Sequence, residues 1–266
     1  MQLQSAIEKK ITSAGLFAQE RNLMITEDFL FSLSRLVVGL YTRNMLEMDV
    51  QWHSLLPDGP KILAPNHPTT MDPIYLLSLL SEPASFLVAA AAFDIPLVGH
   101  YLRIAGHVPA VRGSGGATVD ALIRKVLSGR NIAIFPEGAL SPLAGGFHRP
   151  HSGVARIALR TGAPVIPIGI GLRRDCIHVT RAKVKGDEAV GHFYLNGPYA
   201  ITVGKPMYFT GDVQDRRQVR STANLVMHHI KKLAFESEDR IQSEQPGTVG
   251  TLDATTYQWV PIRNSR

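Results

Sequence analysis

Apolar residues recur along this chain with two alternating periods, one helical and one strand-like. Residues 1–48 read as helical, with a wide apolar face between Phe29 and Tyr41 that suits either a core or a membrane interface. A short strand follows at Ile62 to Ala64, stopped by Pro65 and turned again by Pro68. Thr69 or Thr70 is placed to cap a helix in which Ile74, Leu77 and Leu80 recur at near-helical spacing. SFLVAAAAF and HVPAVR read as two further strands, although the alanine run also suits a buried helix.

Past the RGSGG break, Val119, Leu122, Ile123 and Val126 mark a helix face that ends at Gly129, and NIAIF is a strand closed by Pro136. Val154, Ile157 and Ala158 define another helix ended by Gly162, and APVIPIGIGL reads as a buried strand. One or two strands are expected between Tyr194 and Tyr208. A final amphipathic helix carries Val219, Ala223, Val226, Ile230 and Leu233.

This alternation predicts an α/β fold: a mostly parallel central sheet, helices on both faces and an N-terminal helical extension. The expected organisation is a helical segment over 1–48, possible as a membrane-facing element, an α/β domain over 49–235, and a polar tail over 236–266 that is docked or frayed.

Composition narrows the setting. With 266 residues, 45% apolar and 19% charged, the chain can bury a substantial core, which excludes a disordered or collagen-like polymer. One cysteine, Cys176, can form neither an internal disulfide nor a thiolate zinc cage, which points to a reducing compartment. A net charge of +6 favours anionic partners such as phosphate esters, nucleotides or acidic lipid headgroups. Phe29 to Tyr41 falls short of the ~20 residues needed to cross a bilayer. No secretory leader is visible, so a cytoplasmic protein, peripherally held at a membrane, is expected. No aromatic-basic RNA motif or basic recognition helix is evident, and nucleic acid ranks last among partners.

Candidate chemistry concentrates in NHPTTMDP. Pro68 forces His67 into an extended conformation, and Asp72, five residues on, can return beneath its ring. A carboxylate holding one imidazole nitrogen protonated leaves the other free as a base. An ordinary turn histidine beside a helix-capping aspartate is the plainer alternative. Arg112 closes GHVPAVR where a strand meets a glycine-rich turn and can grip phosphate with two N–H groups; a surface arginine is the alternative. In IAIFPEG, Glu137 and Gly138 put an acid and a permissive backbone at another strand end, where an ordinary loop would also place them. Other signals are weaker. His148 and His151 lack an acidic third metal ligand, the Gly169 and Gly171 pair reads as close packing, and Ser114 and Ser141 lack a nucleophile elbow. Adjacent His228 and His229 point in different directions, and Lys231 and Lys232 read as a solvated face.

In order, NHPTTMD, GHVPAVR, FPEG and APVIPIGI resemble the four sequence blocks of the glycerolipid acyltransferases, across about residues 45 to 210. The resemblance implies transfer of an acyl chain from acyl-CoA or acyl-carrier protein to a hydroxyl of a lysophospholipid, glycerol phosphate or related lipid. It implies His67 as general base, Asp72 as its orienting partner, and Arg112, Glu137 and Gly138 as acceptor-binding residues. No cofactor or metal is implied, because the thioester is already activated.

The chain departs from the family pattern at defined places. Ala139 and Leu140 stand where a hydroxyl residue and an arginine often follow FPEG. Val108 to Val111 lack the usual aromatic before the arginine, and the alanine run at Ala89 to Ala92 replaces a common lysine. These changes open the acceptor to non-phosphate lipids. An ester or thioester hydrolase using the same pair, and a non-catalytic lipid-binding protein, are the alternatives.

Overall fold

The computed structural model describes residues 27–111, 113–184, 187–243, 250–253 and 258–261. The centre is a seven-stranded sheet of β1 (Asp49–Trp52), β2 (Ile62–Pro65), β3 (Ala84–Ala89), β4 (Val108–Ala110), β5 (Asn131–Ala133), β6 (Val165–Leu172) and β9 (Tyr199–Val203), in the order β1-β9-β6-β2-β5-β3-β4. Strands β6, β2, β5, β3 and β4 are mutually parallel. β9 pairs antiparallel with β6, and β1 runs parallel to β9. The expected α/β class and mostly parallel sheet are therefore present.

Helices cover both faces. On one side lie α1, described over 27–45, and α2 (Asp72–Tyr75) with a following 3₁₀ turn at Leu76–Leu79. On the other lie α4 (Gly115–Leu127), α5 (Gly153–Thr161) and α6 (Arg216–Ser243). A short α3 (Val98–Ile104) packs beside α1, where Tyr101 bonds Ser34.

Strand β6 shows why the sequence sorts this way. Ile166, Ile168, Ile170 and Leu172 enter the core on the α1 side, while Val165, Pro167, Gly169 and Gly171 alternate to the other face. The glycines let α6 approach closely. A Cβ on Gly169 would lie 2.0 Å from the carbonyl carbon of Leu233, and one on Gly171 2.5 Å from the amide of Glu238. Gly162 closes α5 in the left-handed conformation at φ +68°, as its position in the sequence predicts.

The structure corrects several local expectations. Neither Thr69 nor Thr70 caps a helix: Met71 stands at the N-cap of α2 without a side-chain cap, and the helix ends after one turn. The alanine run divides between β3 and a 3₁₀ turn at Ala90–Asp94, followed by the unforeseen α3. β1 and the antiparallel hairpin β7 (His178–Val184) and β8 (Asp187–Phe193) were also unforeseen. The polar segment from 236 onward starts inside α6, because Ser237 and Ile241 are buried and Arg240 bonds Thr202 and the Ile201 carbonyl. A last hairpin pairs β10 (Gly250–Asp253) with β11 (Gln258–Pro261).

No helix among the described residues is long and apolar enough to cross a membrane. The apolar face of α1 serves two surroundings. Phe31, Val38 and Tyr41 pack on the core, whereas Phe29, Leu33, Leu36, Val37 and Leu40 remain 46–64% exposed on the outer side.

Candidate functional site

Because β2, β5, β3 and β4 run parallel, their carboxyl ends open on one edge, where loops of parallel sheets collect functional groups. His67 follows β2 and Glu137 follows β5, so two segments 70 residues apart in sequence become neighbours.

The imidazole and carboxylate meet. His67 Nδ1 lies 2.9 Å from Asp72 Oδ2, and since a carboxylate only accepts, Nδ1 carries the proton. Among the described residues, no group bonds Nε2. Asp72 is fully buried, while the His67 side chain is 17% exposed. Oδ2 also accepts the Thr69 N–H at 2.9 Å; Oδ1 accepts the hydroxyls of Thr69 and, at 2.8 Å, Tyr199. Complete burial, reinforced by the adjacent carboxylate, pushes the Tyr199 phenol well above its ordinary pKa, so it remains a donor. On its far side the His67 ring stacks against Phe135, with centroids 3.9 Å apart and planes 22° apart.

Three anchors fix the turn that carries His67. Asn66 spans to β6 by a paired contact: its amide donates to the Ile170 carbonyl at 2.9 Å and its oxygen accepts the Ile170 N–H at 2.7 Å. The base of the β7–β8 hairpin holds the other end, where Thr70 N–H donates to the His192 carbonyl and Thr70 Oγ1 accepts the His192 N–H. Glu137 supplies the third anchor, for it is buried and its carboxylate accepts the His67 N–H at 3.2 Å, the Ser141 hydroxyl at 2.6 Å and the His148 N–H at 2.8 Å. Through these bonds Glu137 braces the turn that carries His67.

Beside this turn lies a cleft of about 780 Å³. Phe135 and Gly138 line it, so one face of the Phe135 ring touches His67 and the residue also walls the cleft. Gly138 has φ +68° and sits against His151: a Cβ there would come within 2.6 Å of that imidazole. Val111 and Gly113 line the same cleft, while Arg112 between them lies outside the described residues. His148 and His151 serve separate ends: the His148 ring faces the Leu140 carbonyl and His151 the cleft. Ser141 is spent on Glu137.

Sequence reasoning gave Thr69 only a capping role and did not find Tyr199, Phe135 or His192. Tyr199 lies 127 residues from its partner carboxylate, and no local pattern marks it.

Comparison with known proteins points the same way. The acyltransferase family matches residues 47–171. The chain is 30% identical, over 67% of its length, to the 1-acyl-sn-glycerol-3-phosphate acyltransferase BAT2 of Brassica napus, and 32% identical, over 54% of its length, to a lyso-ornithine lipid O-acyltransferase of Pseudomonas aeruginosa. It spans about half the length of these relatives, 51% and 55% respectively. Its fold is shared with the crystal structure of the 1-acyl-sn-glycerophosphate acyltransferase PlsC from Thermotoga maritima, at TM-score 0.55 and 19% identity, covering 86% of this chain and 83% of that one.

Proposed function

Because the chain belongs to the glycerolipid acyltransferase family, we propose that it moves a fatty acyl chain from a thioester donor, acyl-CoA or acyl-carrier protein, to the hydroxyl of a lipid or glycerol-phosphate acceptor. The observation that carries this reading is the buried Asp72 carboxylate bonded to Nδ1 of a histidine whose other nitrogen no described residue engages. In the proposed mechanism, His67 Nε2 removes the acceptor hydroxyl proton as that oxygen attacks the thioester carbonyl, and Asp72 steadies the resulting imidazolium. The tetrahedral intermediate collapses, the C–S bond breaks, and the departing thiolate takes the proton back from His67. A thioester needs no further activation, and no cofactor is required for these steps.

The acceptor remains a class: the relatives' names include both a phosphate lipid and an ornithine lipid, and Ala139 and Leu140 follow Gly138 here. The outer stripe of α1, from Phe29 to Leu40, gives a peripheral contact with the bilayer in which such acceptors dissolve. The net charge of +6 adds attraction to acidic headgroups.

The test is mass-spectrometric product analysis after incubation with acyl-CoA or acyl-carrier protein and a panel of acceptors. Acylated lipid that forms only with acceptor present, and disappears in His67→Ala protein, is expected. Free fatty acid formed at the same rate with and without acceptor would mean a hydrolase.

A further inference from the structure

We infer that the α5 wall of the cleft is a phosphate-binding subsite, in which Arg156 and Arg160 hold the phosphate ester of an acyl-bearing substrate. The inference deepens the acyl-transfer reading and takes its substrate class from it.

Helix α5 turns Val154, Ile157 and Ala158 into the core and presents Ser152, Arg156 and Arg160, spaced four residues apart, to the cleft. Arg156 bonds Ser152 through Nε at 3.3 Å, and no described carboxylate pairs with either guanidinium. Asp120, on α4, also lines the cleft, without an ion pair among the described residues. The floor is apolar, built from Leu87, Ile123, Ile134 and Phe135.

A cleft with a hydrocarbon floor and two guanidinium groups that no described carboxylate neutralises matches a ligand with a chain at one end and an anion at the other. Guanidinium forks grip phosphate oxygens in pairs. The segment after Gly138 offers only Ala139 and Leu140, so α5 supplies cationic side chains that this loop does not. Phe135, shared with His67, places such a ligand one ring away from the imidazole.

Phosphate esters occur both in the carrier arm of the donor and in a phosphorylated acceptor, and kinetics separate the two. The double variant Arg156→Gln/Arg160→Gln is assayed with acyl-CoA varied at saturating acceptor, then with lysophosphatidate varied at saturating acyl-CoA. A KM raised about tenfold, carrying the larger share of the loss in kcat/KM, is expected for the substrate whose phosphate is held. A rise for acyl-CoA assigns the subsite to the donor and a rise for lysophosphatidate to the acceptor. Both arginines are exposed, so unchanged thermal unfolding checks the fold.

Calorimetric titration with CoA and with glycerol 3-phosphate reads the subsite without turnover. Arginine-dependent binding of either probe by a wild-type protein that acylates no acceptor would keep the subsite and remove the acyl-transfer reading. Two unchanged KM values, a fall in kcat alone, or probe binding that is absent or indifferent to the double substitution would overturn the inference.

Discussion

Replacing Asp72 with asparagine separates two services that the carboxylate performs for His67. Oδ2 receives N–H groups from His67 and Thr69, of which the Thr69 backbone N–H can only donate and so fixes an acceptor at that position, whereas Oδ1 receives hydroxyls from Thr69 and Tyr199, which can rotate to accept. An asparagine at 72 can therefore turn its oxygen to the N–H pair and its NH₂ to the hydroxyls. Nδ1 keeps its proton, the bonds survive, and what disappears is the negative charge. With the imidazolium and carboxylate centres about 4 Å apart and an effective dielectric constant of about 20, that charge is worth about 4 kcal/mol to the charged form of His67. At about 1.4 kcal/mol per decade, Asp72→Asn should lower kcat about 10³-fold, with a melting temperature within a few degrees of wild type. Steady-state acyl transfer at saturating donor and acceptor, together with calorimetric melting, measures both quantities. A folded variant whose kcat stays within tenfold of wild type would refute the reasoning.

Other perturbations follow from the same structure. Gly169→Ala should destabilise the fold by about 1–3 kcal/mol or more in denaturant melts, because the added methyl meets the α6 backbone at Leu233, which cannot rotate away. His107 is held at a pKa of about 4, first by burial and then by Arg130 and Lys125, against 6.5 ordinarily. The unfolded chain then takes up a proton that the folded chain refuses, so this stability contribution is constant above about pH 6.5 and declines as pH falls toward 4. His107→Gln should flatten that part of the melting temperature's pH profile. On vesicles containing acidic lipid, Leu36→Glu/Leu40→Glu protein should float less than wild type at low salt; equal flotation would count against the α1 stripe as the bilayer contact.

The parts of the site that sequence made visible are those the chain builds locally. His67 and Asp72 are five residues apart, and Pro68 dictates the bend between them, so their contact could be anticipated. Gly169 and Gly171 could be read as packing because they lacked the companions of a nucleotide loop, and α6 lies against both. What stayed hidden depends on pairing between distant strands. Asn66 meets Ile170 only because β2 lies beside β6, and Glu137 braces His67 only because β2 also lies beside β5. Hydrophobic period likewise could not decide the role of α1, because Phe31, Val38 and Tyr41 satisfy the core while Leu33, Leu36 and Leu40 face out. The extension of α6 past Phe235 escaped notice because Arg240, Ser237 and Glu238 fasten that stretch by polar contacts, which leave no apolar stripe.

The Asn66 clamp has a mechanical consequence. By presenting a donor and an acceptor to the main chain of Ile170, this side chain imitates a peptide unit and carries the ladder beyond Pro65, where a proline would otherwise have ended it. The loop bearing the imidazole is thus spliced into the middle of the sheet and cannot swing as a flap without tearing a central strand. Any widening of the cleft is therefore easier on the side of α4 and α5, with the imidazole held as the stationary jaw of the vise.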